Sequence, residues 1–384
     1  MIQHITIRNF KSIGEVSVKL APVTVLIGRS GVGKSNFLRA IRFLRNFLLE
    51  PNQAVAHEGG WPRIWPFGTP SQLQFAIRFA IPDYPKSFTY EVSWQPHPQN
   101  SQNVYLSAER LSLADEVIFA RNERNWIKWP HEGTAPPIEP RLYLNFFPTL
   151  SEAVLAYTAW TSGVGWYDFP ANVLTQGAAG RVQNRAAGLR FNGLDDTASN
   201  YLEVIRDITQ DLRDQKARRQ ILARVKQINS TVDTLELDSI IQPQRVVVGH
   251  NVGNRRIGLD LSQESDGFRR YYAHLLALYQ TPPKQLLMFE EPENGIYPGA
   301  LLNLAEEFKA ASSAIRGQVL LTTQSPDLLD GFAPDELRVV ELDANQLTTI
   351  GPLDSDQAEA VRTDLLEPGE LLTVDSARAA RAAV

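Results

Sequence analysis

Two short stretches of this chain carry residue types suited to phosphate chemistry. The first, Gly28-Arg29-Ser30-Gly31-Val32-Gly33-Lys34-Ser35, fits the spacing G-x-x-x-x-G-K-[ST]. Glycines there let the backbone wrap an anion with successive N–H groups, and a helix N-terminus behind them adds a positive dipole end. Lys34 would reach the β- and γ-phosphates of a nucleotide, and the Ser35 hydroxyl would ligate magnesium. The second stretch runs from Leu286 to Phe289 and ends in two carboxylates, Glu290 and Glu291. Carboxylates at the C-terminal end of a strand in such sheets sit beside the ligand crevice. One of them can hold magnesium, while the next, pointing the other way, can position or deprotonate an attacking water. Glu291 is the candidate general base. The competing readings, a chance glycine turn and a solvated acidic loop, weaken because the two motifs occur together.

These residues need particular elements to hold them. An apolar strand, Val23 to Ile27, runs into the glycine loop, and NFLRAIRFLRNFLLE then spaces its apolar residues as a helix does. Ahead of them HITI and EVSVKL alternate with the period of an antiparallel strand pair. From about Gln72 to Lys128 the runs QLQFAIRFAI, SFTYEVSWQ, LSAERLSL, EVIFARN and NWIKW, parted by turn-forming residues, predict an antiparallel sheet. SEAVLAYTAW predicts a helix, and YLEVIRDITQDLRDQKARRQILARVKQI a long amphipathic one. Between them GVGWYDFPANVLTQGAAGRVQNRAAG reads as an exposed loop. The last third alternates strand and helix, which implies a parallel sheet covered by helices. The terminal DSARAARAAV reads as a frayed tail.

These segments stand in the order of an ABC-type head, and the chain resembles the RecF, SMC and OLD-like ATPases. IRNFKSIGEVSVKL resembles the first hairpin of that family, GRSGVGKS its Walker A, LSQESDGFRRYYAHLLALY its signature segment, LLMFEEPENGIYPG its Walker B and D-loop, and QVLLTTQSPDLLD its switch strand. The resemblance implies an α/β P-loop fold: an antiparallel β-region plus a parallel core sheet flanked by helices. It divides the chain into an N-terminal part of the head at 1–149, an inserted helical lobe at 150–235 and a C-terminal part at 236–384. It implies ATP and magnesium held by Gly28 through Ser35 and Asn36, with Ser35 and Glu290 on the metal and Lys34, Glu291 and Gln324 serving catalysis. Ser265 and Gly267 fall where the family contacts ATP across a dimer, so two heads would sandwich two nucleotides. Taken alone, that pair reads as a helix cap before it reads as a nucleotide contact.

Departures from the pattern matter. Glu290 replaces the usual Asp, and Gln324 replaces a switch His, so it can bond a γ-phosphate but carries no titratable proton. Hydrolysis is therefore expected to be slow, and a dimeric scaffold held together by ATP with little turnover is the alternative. Ser30 replaces a common Asn, and Tyr297 stands where a His often follows the D-loop. Gln72 and Gln74 are candidates for the glutamine loop. Lys11 resembles a basic residue near the nucleotide but equally suits a solvated turn.

Composition bounds the partners. The chain has 384 residues, 43% of them hydrophobic, and a formal net charge of -5, so any nucleic-acid contact must come from a local basic face. Arg181 to Arg190 and Arg213 to Lys226 are the basic clusters; the second interleaves with Asp207, Asp211 and Asp214 and reads as a solvated helix face. Cysteine is absent, which suits a reducing cytoplasm and excludes disulfides and thiolate metal sites. The six histidines show no metal-ligand spacing. Trp160, Trp166 and Tyr167 are expected in the core or an interface. No signal peptide is visible, and no apolar run reaches the ~18 residues of a membrane span. OLD-type relatives carry a Toprim nuclease; here only about sixty residues follow the switch, too few for that domain. The expected effector is thus a separate protein such as a nuclease, with DNA a further candidate, in bacterial defence or repair.

Overall fold

The computed structural model describes residues 1–81, 84–123, 125–129, 142, 144, 151–175, 193–210, 215–238, 244–312 and 316–380. They divide into two compact units, Met1–Val164 with Ala333–Val384, and Gly165–Phe332.

The opening alternation folds as a hairpin of β1 (Ile2–Phe10) and β2 (Ile13–Lys19), in register from His4 opposite Lys19 to Phe10 opposite Ile13. Ile5, Ile7, Phe10, Ile13, Val16 and Val18 point inward and are buried, the consequence of a two-residue period with one covered face. VTVLI is β3 (Val23–Ile27), buried along its whole length, as a strand covered on both faces should be. Then come α1 (Lys34–Leu49), α2 (Pro51–His57) and α3 (Trp61–Ile64). The predicted antiparallel region forms β4 (Leu73–Phe79), β5 (Phe88–His97), β6 (Asn100–Leu113), β7 (Glu116–Asn122) and β8 (Asn125–Lys128). Helix α4 (Ser151–Thr161) and strand β9 (Val164–Tyr167) follow.

Next are α5 (Tyr201–Gln210), α6 (Gln215–Ile228), β10 (Val232–Asp238), β11 (Arg245–Val252) and β12 (Arg255–Asp260). The chain continues through α7 (Asp266–Tyr279), β13 (Leu286–Glu290), α8 (Leu301–Ala311), β14 (Gln318–Thr322) and α9 (Pro326–Leu329). It closes with β15 (Leu337–Leu342), β16 (Thr348–Pro352) and α10 (Ser355–Arg362).

In the first unit the strand order is β8-β7-β6-β5-β4-β1-β2-β16-β15-β3. Strand β15 pairs parallel with β3 and antiparallel with β16, so residues from the far end of the chain flank the strand that feeds the glycine loop. Helix α1 is fixed by its aromatic face. The Phe43 ring lies 5.5 Å from Phe10 and 6.3 Å from Phe75, and Phe47 meets Trp94 edge-on at 4.8 Å. Farther out, β6 and β7 bury an ion pair: Arg121 Nη2 donates to Glu109 Oε2 at 2.8 Å, while the Tyr90 hydroxyl and the Leu144 N–H donate to Glu109 Oε1 at 3.0 and 3.1 Å. Burial and the adjacent Glu109 carboxylate push the Tyr90 phenol well above its ordinary pKa.

The terminal segment is not frayed through Ala380. Ala380 N–H donates to Pro352 O at 2.9 Å, and the buried Gln357 on α10 bonds Asp375, Ser376 and Arg378. A buried carboxamide outweighs the segment's loop-like composition.

In the second unit β13 and β14 are parallel, in register from Leu286 opposite Gln318 to Glu290 opposite Thr322, in the order β14-β13-β9. Strands β10, β11 and β12 form a separate antiparallel sheet. The segment predicted as exposed loop contributes β9, and Phe169, Val173 and Leu174 after it are also buried; residues 176–192, which take in the rest of that segment and the cluster Arg181 to Arg190, lie outside the described residues. Its apolar aromatic residues outweighed its glycines and prolines. Trp160 in the first unit, and Trp166 and Tyr167 in the second, are buried as expected. The long amphipathic stretch forms α5 and α6, and residues 211–214 between them, Arg213 included, lie outside the described residues. On α6, Lys226 pairs with Asp233 at 3.4 Å and Arg224 Nε lies 2.5 Å from the buried Glu307 of α8. Among the described residues no helix is long and apolar enough to cross a membrane.

Candidate functional site

The glycine loop lies between β3 and α1, and two of its glycines are dictated by space as well as by backbone angle. A Cβ on Gly28 (φ 146°) would sit 2.3 Å from the Val340 carbonyl oxygen of β15, and one on Gly33 (φ 102°) would sit 2.1 Å from Thr348 Oγ1 and 2.7 Å from Ser12 Oγ. Gly31 (φ 80°) faces open space, so only its backbone angle asks for glycine. Helix α1 begins at Lys34 with no side-chain cap and no acidic residue in its first turn, which leaves its N-terminal N–H groups and dipole available to an anion. Lys34 is 5% exposed, and its ammonium donates to the carbonyls of Gly28 at 2.7 Å and Arg29 at 2.9 Å, folding back over the loop. Arg29 and Ser30 are exposed, and Val32 is buried beneath.

Hydroxyls lock the loop from below. Thr348 Oγ1 donates to Val32 O at 2.8 Å and bonds Ser12 Oγ at 2.7 Å, and Asn36 Nδ2 donates to the same Ser12 Oγ at 2.8 Å. The Ser12–Thr348 pair was missed in the sequence. Ser12 stood beside Lys11, which drew attention by its charge, and Thr348 has no local signal at all. Lys11 itself pairs with Glu58 at 2.9 Å. Gln72 donates to Ser107 Oγ at 3.4 Å and Gln74 accepts from Arg8 at 3.3 Å.

In the second unit β13 delivers Glu290 and Glu291 to the end of the parallel strand pair. Glu290 Oε2 is buried and has no hydrogen-bond partner among the described residues. A buried carboxylate oxygen left open in this way is costly unless something positive meets it. Among the described residues no three His, Cys, Asp or Glu side chains gather to hold a metal. The open Glu290 oxygen suits magnesium, which takes one or two carboxylates and fills its shell with phosphate oxygens and water. Glu291 sits at φ 43°, a strained angle for a non-glycine residue, held there because its N–H donates to Thr322 O and Thr322 Oγ1 at 3.2 and 3.1 Å. Both oxygens of its carboxylate are bonded: Oε1 accepts from the Gln324 carboxamide and Oε2 from Asn294 Nδ2 at 3.2 Å.

A third carboxylate, Glu293, belongs to the same cluster. Its Oε1 accepts from Thr323 Oγ1 and from the Gln324 N–H, both at 2.8 Å, and its Oε2 is buried without a partner among the described residues. Burial raises its pKa above the ordinary carboxylate value; the bonds from Gln324 and Thr323 oppose that rise, and the neighbouring Glu291 charge adds to it. EEPEN displays Glu293 openly, but nothing in the sequence says which carboxylate reaches the switch.

Ser265 caps α7, accepting from Phe268 N–H at 3.3 Å, and is exposed. A Cβ on Gly267 would lie 2.7 Å from Gly295 O, so this glycine lets α7 close on the turn after β13, and Arg270 donates to Asn294 O beside it. Arg269 is buried and bonds the carbonyls of Val173, Ala171 and Glu264. Glu264, next to Ser265, accepts from or donates to His250 Nε2 at 2.7 Å. His274, packed among Phe169, Phe289 and Phe308, has its pKa lowered by burial to about 4. Tyr297, beyond the D-loop, is 75% exposed.

The structure therefore bonds Gln324 to Glu291 beside Glu290, sets Gly267 against Gly295, and gathers Gly28 through Asn36 around one helix N-terminus.

Comparison with known proteins gives consistent findings. A family model described as "AAA ATPase domain" matches residues 1–91, and one described as "AAA domain, putative AbiEii toxin, Type IV TA system" matches residues 144–330. A curated relative, the DNA replication and repair protein RecF of Paenarthrobacter aurescens (strain TC1), is 43% identical over 44 residues, which is 11% of this chain and 11% of that protein. An SMC head solved with the C-winged helix domain of ScpA superposes at TM-score 0.55 and 13% identity, covering 93% of this chain and 99% of that one. An SMC head with an extended coiled coil, bound to the C-terminal domain of ScpA derived from Pyrococcus furiosus, gives TM-score 0.55 and 11% identity over 95% of this chain and 99% of that one.

Proposed function

We propose that this chain, which carries AAA-family ATPase domains on the fold of an ABC-type, RecF- and SMC-like head, binds MgATP, dimerises around it and hydrolyses it slowly. The observation that carries the reading is the uncapped N-terminus of α1 behind glycines at positive φ, an anion site with Lys34 folded over it.

Each unit carries part of the chemistry that MgATP needs. In the first, the loop N–H groups and Lys34 bind the β- and γ-phosphates. Ser35 and Glu290 would hold magnesium, which supplies charge neutralisation on those phosphates. In the second, Glu291 accepts a proton from water as it attacks the γ-phosphorus, the bridging P–O bond to the β-phosphate breaks so that ADP and phosphate leave, and Gln324 orients that water by hydrogen bonding. Ser265 and Gly267 of a second copy would close over the nucleotide, giving a homodimer with ATP at its interface. The ATP-dependent dimer would couple nucleotide state to a separate effector, such as a nuclease, or to DNA, in bacterial defence or repair.

A second reading keeps the dimer and drops most of the turnover. It is favoured by a carboxamide, Gln324, that cannot titrate where the family resemblance places a His. ATP turnover of the unmodified chain against Glu291→Gln separates the two, and equal rates near background reject the enzyme. Particle mass of Glu291→Gln with and without ATP tests the dimer, which predicts a doubling on addition of nucleotide.

A further inference from the structure

We propose that Glu293 is a positioning residue for hydrolysis, holding the switch loop so that the Gln324 carboxamide stays on Glu291. The proposal rests on the reading of Glu291 as general base.

One oxygen of Glu293 organises the whole turn between β14 and α9. It accepts from Thr323 Oγ1 and from the Gln324 N–H, both at 2.8 Å. Thr323 Oγ1 accepts in turn from the Ser325 N–H at 3.0 Å, and Ser325 caps α9 through the Leu328 N–H at 3.3 Å. Thr323 is fully buried, so without Glu293 its hydroxyl would lose this acceptor in the interior. The Gln324 side chain, by contrast, is on an exposed residue whose backbone bond to Glu293 fixes where the carboxamide starts.

Glu291 is tied to the same strand end by two routes. Its N–H bonds both the carbonyl and the hydroxyl of Thr322, and its Oε1 accepts from Gln324. Glu291 and Glu293 therefore grip successive residues of the switch, one at 322 and 324 and the other at 323 and 324. The strained φ of Glu291 persists only where its surroundings over-determine it. Removing Glu293 frees one side of that grip, and Gln324 can then leave the base without breaking any other bond that holds the switch. The clamp needs an acceptor oxygen and not a negative charge, because both partners are donors. That requirement separates it from a role in proton transfer or metal binding.

The test is steady-state ATP turnover by the full chain carrying Glu293→Ala, Glu293→Gln, Gln324→Ala, or Glu293→Ala with Gln324→Ala. The clamp predicts that Glu293→Ala lowers kcat about tenfold or more with KM for ATP changed less than about twofold, as expected when a reacting group is misplaced without loss of ground-state binding. Glu293→Gln restores most of kcat, since its amide oxygen still accepts both bonds. In the Gln324→Ala background, Glu293→Ala costs nothing further. Where Glu293→Ala does not fold, as judged by its melting curve, Thr323→Val removes one of the two donors and is expected to lower kcat in the same Gln324-dependent way. Glu293→Gln as impaired as Glu293→Ala, losses that multiply in the double variant, or a rise in KM matching the fall in kcat overturns the clamp. An unmodified chain without turnover overturns the hydrolysis reading and the clamp with it, whereas normal turnover with any of those three results overturns the clamp alone.

Discussion

The glycine-loop corner and the acidic corner are built on opposite principles. Around Gly28 to Asn36 the groups proposed to bind an anion are backbone N–H groups, and side chains such as Ser12 and Thr348 only brace them. Around Glu290 to Gln324 the working groups are side chains, placed by one another through Glu291–Gln324, Glu291–Asn294 and Glu293–Thr323 bonds. A backbone site tolerates change wherever its path survives, whereas a side-chain site fails when one partner is lost. The first should therefore govern binding and the second the chemical step.

Breaking that division requires variants on each side. The largest expected effect is Glu291→Gln, which should lower turnover by roughly 10²- to 10⁴-fold, the usual worth of a general base, while leaving nucleotide affinity intact. Loss of affinity alongside turnover would erase the distinction between the corners. The next largest concerns the acidic corner's support. His274 is neutral in the fold because burial lowers its pKa from 6.5 to about 4. Its stability contribution is present above pH 6.5 and is lost as pH falls through that window to about 4, at about 1.4 kcal/mol per pK unit. Replacing it with Phe should flatten the melting temperature between those pH values; an unchanged acid limb would show that the imidazole does not titrate as described.

Smaller effects sharpen the glycine-loop side. Gly33→Ala meets Thr348 and Ser12 at a positive φ and should cost roughly 1–3 kcal/mol and the ATP-induced rise in melting temperature. Gly31→Ala, in open space, should cost only about 1–2 kcal/mol of backbone strain and leave a weakened ATP response. If the two behave alike, close packing beneath the loop is not what fixes its path. Smallest, Ser265→Ala removes one helix cap, worth about 1 kcal/mol, yet should abolish the ATP-dependent doubling of mass. Retained doubling would leave the serine a cap and nothing more.

How much of this was readable in the sequence followed the same division. The glycine loop was legible because backbone chemistry is written locally: glycines at fixed spacing, an apolar strand before and an amphipathic helix after. The hairpin, the antiparallel strands and the final alternation were legible through their periods. The acidic corner was legible only as letters. EEPEN displays three carboxylates within four residues, but which two are left with an open oxygen, which is strained and which bonds Thr323 depend on a strand some thirty residues away. Strand β9 was misread as loop because its four residues are too few for a period to show, and its burial comes from neighbours distant in the chain. The terminal segment was misread because one buried glutamine, Gln357, outweighs its composition.

The sequence by itself determined that a glycine loop sits between a buried strand and a helix, because glycine freedom and hydrophobic period are properties of neighbouring residues. Only the tertiary structure decided that Thr348 braces that loop across more than three hundred residues and that Glu293 grips the switch. The reason is physical: a hydrogen bond is fixed by where two groups meet in space, and chain spacing carries no record of that meeting.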